Sequence, residues 1–416
     1  MSLVTGLRCK ECGKAHPKEL LAACLECWGG LEPVYDLDRV RATFTRDGIA
    51  ARPRDLWRYR ELLPIDGEPT VGQGTGFTPL LRAPRLGERL GIPDLWIKYD
   101  AACFPTLSFK DRLVAVSLTK AREFGLTTVG CASTGNLANA VAAGAAKAGL
   151  AAVVLVPTDL EPAKLTGTAV FGATLVGVEG NYDRVNRLCA QIADRYGWGI
   201  VNVNLRAYYG EGSKTVGFEV AEQLGWTLPR HVVAPMAGGS LVTKVGRAFQ
   251  QLAELGLVDE RPFSLHGAQP AGCAPIARAV IDNAPALRPV KPDTIVRSLA
   301  IGDPADGPAA IAAIRKSGGS AAAPSDAEVL DGIRLLAETE GLFAETAGGT
   351  VVASAQRLAR DGAFVEKGPV VLLITGHGLK TVDALREGSP FAGVIDGKLS
   401  SFEEFWDRRG AAALTA

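Results

Sequence analysis

Short apolar runs alternate with helix-compatible stretches along most of the chain. Runs at residues 95–99, 128–132, 152–156, 174–178, 231–236, 263–269 and 369–374 are apolar or nearly so, and turn residues bound them, which predicts buried strands. Between them, residues 113–124, 137–147, 164–171, 183–196, 216–224, 242–255 and 326–340 carry helix-compatible patterns, and a further helix begins after Glu345. Strands that alternate with helices predict a parallel, doubly wound sheet. Residues 33–80 are a lead-in punctuated by Pro and Gly, ending in the glycine-rich loop 72–78 and the strand-like Pro79-Leu80-Leu81. Residues 282–327, rich in Pro, Ala, Gly and Ser, predict an irregular, mobile region. No internal repeat or coiled-coil pattern is present.

Composition narrows the class. The chain has 416 residues, 47% hydrophobic and 22% charged, which is globular and long enough for more than one domain. Lys plus Arg and Asp plus Glu stand at 45 each, so no net positive field favours nucleic acid or an anionic membrane. Charges and glycines interrupt every apolar run before it reaches the length of a membrane span. The first six residues show neither a basic n-region nor an apolar h-region, so a cytoplasmic protein is expected.

Cys9-x-x-Cys12 and Cys24-x-x-Cys27 are the first chemical feature. Two such knuckles, with Gly13 and Gly29-Gly30 to turn them, suit four thiolates around one structural zinc ion. Disulfides are the competing reading, as is a ribbon that folds without metal. Cys103, Cys131, Cys189 and Cys273 are scattered and read as small core residues.

The second feature is Phe104-Pro-Thr-Leu-Ser-Phe-Lys110-Asp-Arg112. Ser108 is placed to cap a helix and Asp111 falls in its first turn. Lys110 then lies among backbone N–H groups, a setting that lowers an amine's pKa and favours its attack on a carbonyl. The turn Ser133-Thr134-Gly135-Asn136 opens an alanine-rich helix, and its hydroxyls and free N–H groups suit a carboxylate. Ala237-Gly238-Gly239-Ser240-Leu241 opens another helix after a buried strand, where backbone donors cradle a phosphate. Arg206 and Lys214 read either as phosphate contacts or as solvated surface charges.

The Pro-Thr-x-Ser-Phe-Lys-Asp-Arg run resembles the Ser-x-Lys segment of the fold-type-II pyridoxal-phosphate enzymes, and most of all that of the threonine synthases. Phe77-Thr78-Pro79-Leu80, the Ser-x-Gly-Asn turn, the Asn202–Thr215 segment, the glycine loop and Thr375-Gly-His-Gly-Leu-Lys380 extend the resemblance from about residue 70 onward, and many threonine synthases share a ribbon-like start. The glycine loop departs from the frequent asparagine-containing version, with Ala237 and Ser240 in its place.

The resemblance implies two doubly wound α/β domains of the tryptophan synthase β type. A smaller subdomain at about 100–215 is inserted in a larger one within residues 36–416, and a zinc-ribbon-like element occupies 1–35. It implies a Schiff base between Lys110 and pyridoxal 5'-phosphate. Asn136 would stand beside the phenolic oxygen, residues 237–241 around the cofactor phosphate, and Thr375 at the ring nitrogen. Ser133, Thr134, Asn204, Arg206 and Lys214 would meet the substrate. The implied reaction converts O-phospho-L-homoserine and water to L-threonine and phosphate, in a homodimer, with a threonine or serine dehydratase or a β- or γ-replacement synthase as the alternative. A non-enzymatic zinc-ribbon protein is the rival from another class, and intact Lys110, Asn136 and Thr375 argue against it.

Overall fold

The computed structural model describes residues 3–133, 135–158, 161–179, 182–386 and 391–413. Residues up to Thr381 form one compact unit, and Val382–Ala416 form a second.

Three sheets build the first unit. At the N-terminus, Val4–Cys9 pairs antiparallel with Ala15–His16 on one side and Leu31–Tyr35 on the other. A six-stranded sheet runs in the order Ala321–Ala322, Ser264–Ala268, His231–Pro235, Val370–Ile374, Leu95–Tyr99, Leu80–Arg82, parallel throughout except for the last, antiparallel edge strand. A four-stranded parallel sheet has the order Thr174–Val178, Ala151–Pro157, Thr128–Ala132, Gly199–Ile200. His231–Pro235 and Val370–Ile374 are buried at every position, as strands covered on both faces must be. The four-stranded sheet lies, in the chain, between Leu95–Tyr99 and His231–Pro235 of the larger one.

Helix positions follow the sequence pattern closely, with differences that have physical reasons. The helix begins at Lys110, with Asp111 in its first turn as expected, and Asp111 reaches back to Thr106 to fix the entry: its carboxylate accepts from the Thr106 N–H at 3.0 Å and hydroxyl at 2.7 Å. Ser108 makes no capping bond; Phe109 precedes the helix, and its N–H donates to the Thr375 carbonyl at 3.0 Å.

Residues 282–327 are not uniformly irregular. Gly307–Lys316 is a helix with a proline in its first turn and Ala310, Ile311 and Ile314 buried. The second unit contains the helix Leu399–Ala413. Among the described residues, no helix is long and apolar enough to cross a membrane.

Candidate active site

The ends of four segments converge on a cavity of about 140 Å³. Lys110, the first residue of its helix, faces it together with Ser133, Asn136, residues 237–241 and Thr375. These segments follow the carboxyl ends of strands in the two parallel sheets, the place where open α/β folds gather their ligands. Thr134 was expected among them and lies outside the described residues.

The Lys110 amine is partly buried, open to the cavity, and hydrogen-bonds the Tyr209 hydroxyl at 3.1 Å. Burial pulls it down to about 8, against the opposing attraction of the Glu345 carboxylate. Burial thus does what the helix start alone was expected to do.

Asn136 opens its helix with both ends of its amide engaged. Its Nδ2 donates to both Glu345 oxygens at 2.9 Å, and its Oδ1 accepts from Lys380 Nζ at 3.0 Å. Two antiparallel bridges, Ser108 to Gly376 and Ala344 to His377, stitch the Thr375 loop between the Lys110 and Glu345 segments. A Cβ at Gly376 would fall 2.2 Å from Glu345 Oε1, so glycine is what lets that carboxylate lie against the backbone. Ser133 caps from inside the turn: its Oγ accepts from the N–H groups of Gly135 and Ala138, each at 3.0 Å.

At the opposite wall, Gly239 turns the chain into the helix Ser240–Glu254 with φ +93°. A Cβ there would meet Ala310 Cβ at 2.8 Å, whereas one on Gly238 would meet nothing within 4 Å. The backbone of Gly238 is therefore bare toward the cavity it lines.

Two buried hydroxyls on the cavity wall, Ser213 Oγ and Ser298 Oγ, have no hydrogen-bond partner among the described residues. A nucleophilic amine, a helix N-terminus with exposed backbone and unpartnered hydroxyls match a ligand that carries an aldehyde, a phosphate and a polar ring. Pyridoxal phosphate fits this donor set.

Asn204 and Lys214 are not brought to the cavity. Asn204 braces its own loop, accepting from Ile200 N–H at 2.8 Å and donating to the Trp198 carbonyl at 2.9 Å. Lys214 is buried against Glu211 Oε2 at 2.6 Å and Gln251 Oε1 at 3.1 Å, with its amine 4.2 Å from the centre of the Tyr35 ring. Arg206 lines an adjoining cavity, paired with Asp306 Oδ2 at 2.8 Å.

The sequence reading did not pick out Tyr209, Ser213, Ser298, Glu345 or Lys380 as site residues. Glu345 registered only as a helix start, and Lys380 only as the last residue of a motif.

At the N-terminus, the sulfurs of Cys9, Cys12, Cys24 and Cys27 lie within 4.8 Å of one another. The Cys9–Cys27 and Cys12–Cys24 separations are 3.5 and 3.7 Å. Zn–S bonds of the usual length would place sulfurs at tetrahedral corners about 3.8 Å apart. The backbone N–H of Cys12 is the largest influence on the Cys9 thiol, which is lowered from its ordinary range.

This fold and site define the class: residues 71–376 match the family model described as pyridoxal-phosphate dependent enzyme. Solved structures share the fold at low identity. Diaminopropionate ammonia lyase from Escherichia coli superposes with a TM-score of 0.64 at 18% identity, over 83% of this chain and 92% of that one. Threonine deaminase isoform 2 from Solanum lycopersicum gives 0.60 at 19%, over 80% and 83%. The threonine synthase of Methanocaldococcus jannaschii is 35% identical over 91% of this chain and 93% of its own length. That of Methanosarcina acetivorans is 34% identical over 96% and 98%. The chain belongs to the threonine synthase family of pyridoxal-phosphate dependent enzymes.

Proposed function

We propose that this protein converts O-phospho-L-homoserine and water to L-threonine and phosphate. The observation that carries the reading is Lys110: a partly buried amine, lowered to about 8, in the cavity where the family's motif segments meet. Bound pyridoxal phosphate supplies an electron sink for charge that develops on the substrate. The rest is the work of this chain. The reaction removes phosphate from Cγ and adds water at Cβ, so protons must leave Cα and move along the carbon skeleton. Lys110, whose lowered pKa leaves a usable share of the amine neutral near the working pH, accepts and returns them. The Tyr209 hydroxyl holds the amine in place, and the backbone N–H groups of residues 237–241 are assigned to the cofactor phosphate. The Thr375 side chain is assigned to the ring nitrogen and Asn136 to the phenolic oxygen, while Ser133 stands on the substrate side. Arg206 is assigned to the departing phosphate.

The four clustered sulfurs support a structural zinc ion, since four thiolates leave no open position for chemistry. A cytoplasmic homodimer completes the reading, as the family resemblance implies.

Incubation with O-phosphohomoserine should release equimolar phosphate and threonine. Lys110→Ala should lose both turnover and the visible absorbance of the bound cofactor. A Lys110→Ala protein that keeps either one ends this reading, and a wild type that instead deaminates threonine or serine moves it to the dehydratases. Metal analysis should find one zinc ion per chain, and light scattering twice the chain mass.

A further inference from the structure

The adjoining cavity that Arg206 lines has an unexpected wall. Lys10, Gly30 and Leu31 of the cysteine-rich ribbon line it together with Lys110, Gly238 and Ser240 of the active-site cavity, so the two cavities share a wall. Lys10 stands between Cys9 and Cys12, on the knuckle itself. Its Nζ is 3.3 Å from Asp306 Oδ1, while Arg206 holds Asp306 Oδ2 at 2.8 Å. One carboxylate thus bridges two cations from different parts of the chain, beside the Lys110 cavity.

The ribbon is fastened to the segment that carries Arg206. Tyr35 on its third strand donates to Glu211 Oε2 at 2.7 Å, and Tyr208 donates to the ribbon's Glu19 carbonyl at 2.8 Å. Glu211 also pairs with Lys244, a third cation on the same cavity, at 2.5 Å. These bonds hold Lys10 in a fixed relation to Arg206 rather than leaving it on a loose terminal arm.

We propose that the ribbon is part of the substrate site, with Lys10 and Arg206 together binding the substrate's phosphate and Asp306 holding both cations in place until the phosphate displaces it. This rests on the function proposed above and adds to it a substrate-binding residue from the ribbon and an exchange of partners. A phosphate dianion brings more charge than the carboxylate it replaces and accepts from both cations at once. The carboxylate keeps the cations paired and extended when substrate is absent. The same exchange sets a specificity: hydroxy-amino acids without phosphate cannot displace Asp306.

The test titrates the cofactor-loaded protein with inorganic phosphate by calorimetry and measures KM for O-phosphohomoserine alongside. Lys10→Ala should weaken phosphate and raise KM by about tenfold to a hundredfold, the range for a lost charge-assisted bond, with the cofactor's absorbance unchanged. Lys10→Arg should restore most of the loss. Asp306→Asn should act with the opposite sign and tighten phosphate severalfold, because nothing then competes for the cations. Lys14→Ala, at an exposed ribbon lysine paired, among the described residues, only with Glu26, should leave both quantities unchanged. Unchanged phosphate binding in Lys10→Ala overturns the role of Lys10, and weakened or unchanged binding in Asp306→Asn overturns the exchange. If Lys10→Ala costs the ribbon its zinc, Asp306→Asn decides alone, since it leaves the ribbon's sequence untouched. A wild type that releases no phosphate from O-phosphohomoserine refutes the proposed function instead, and the calorimetric comparison still judges Lys10.

Discussion

Lys110 is poorly accommodated at neutral pH, which is the condition of its usefulness. Its ordinary pKa of 10.5 falls to about 8 on burial, so the protonated amine is held at a cost on the order of 3 kcal/mol. The sign follows from proton counting. Below pH 8 both folded and unfolded chains carry the proton and the cost is fully present. Between 8 and 10.5 only the unfolded chain keeps it, so stability rises with pH across that window. In protein stripped of cofactor, Lys110→Met should therefore raise the thermal midpoint at pH 7, and the gain should shrink at pH 9.5. A gain that does not depend on pH would show that packing, not charge, is responsible.

At this scale the sequence was informative where a residue's role is set by its immediate neighbours. Lys110 at a helix start, Asn136 after a glycine and Thr375 at a strand end could be read that way. Tyr209 and Glu345 could not, because their value comes from meeting Lys110 and Asn136 across 99 and 209 residues of chain. Lys214 misled for the converse reason: a lysine in a promising motif gives no sign that Glu211 and Gln251 will occupy it.

Three elements are locked to the Lys110 helix by charges that no solvent reaches. The Arg112 guanidinium takes Asp100 at 2.8 Å through two nitrogens and Glu219 through two more contacts, while Lys98 holds Glu219 at 2.6 Å. The four residues come from the Lys110–Glu123 helix, the turn Asp100–Ala102, the helix Lys214–Gln223 and the strand Leu95–Tyr99. Burial alone would raise the Glu219 carboxyl, yet Arg112 and Lys98 hold it down to about 2. Glu219→Gln leaves two buried cations short of a counter-charge and should cost about 3–5 kcal/mol. Thermal unfolding measures this, and the gap to wild type should close as pH falls from 4.5 toward 2, where the native carboxylate is itself protonated. A loss below about 1 kcal/mol, the range of an exposed pair, would contradict the network's role.

The regular elements were legible because their periods are short and local. The exceptions were the short helices Leu37–Thr43, Arg46–Ala50, Pro84–Leu90 and Pro275–Ile281, which the sequence pattern did not mark, and Gly307–Lys316, where a composition rich in Ala, Gly and Pro spoke for a loop. The spacing of Ala310, Ile311 and Ile314 already placed one apolar face along it.

In the first unit, the alternation of strands and helices forecast parallel sheets, but strand order was beyond it. Nothing in residues 95–99 says that their parallel partner is 370–374, or that the short strand at 80–82 closes the other side. The ribbon's place on the body was equally hidden, since it depends on Tyr35 and Tyr208 finding partners far along the chain.

The pairing of Leu95–Tyr99 with Val370–Ile374 has a consequence for how the chain is made. A ribosome adding about 5–20 residues per second needs roughly 15–50 seconds to travel from one strand to the other. For that interval the earlier strand has only the short Leu80–Arg82 beside it, and its second edge is open. The four-stranded sheet is complete in sequence by Ile200 and can close on itself while the larger one waits. The cavity that Thr375 lines therefore takes form only after that later strand has been made.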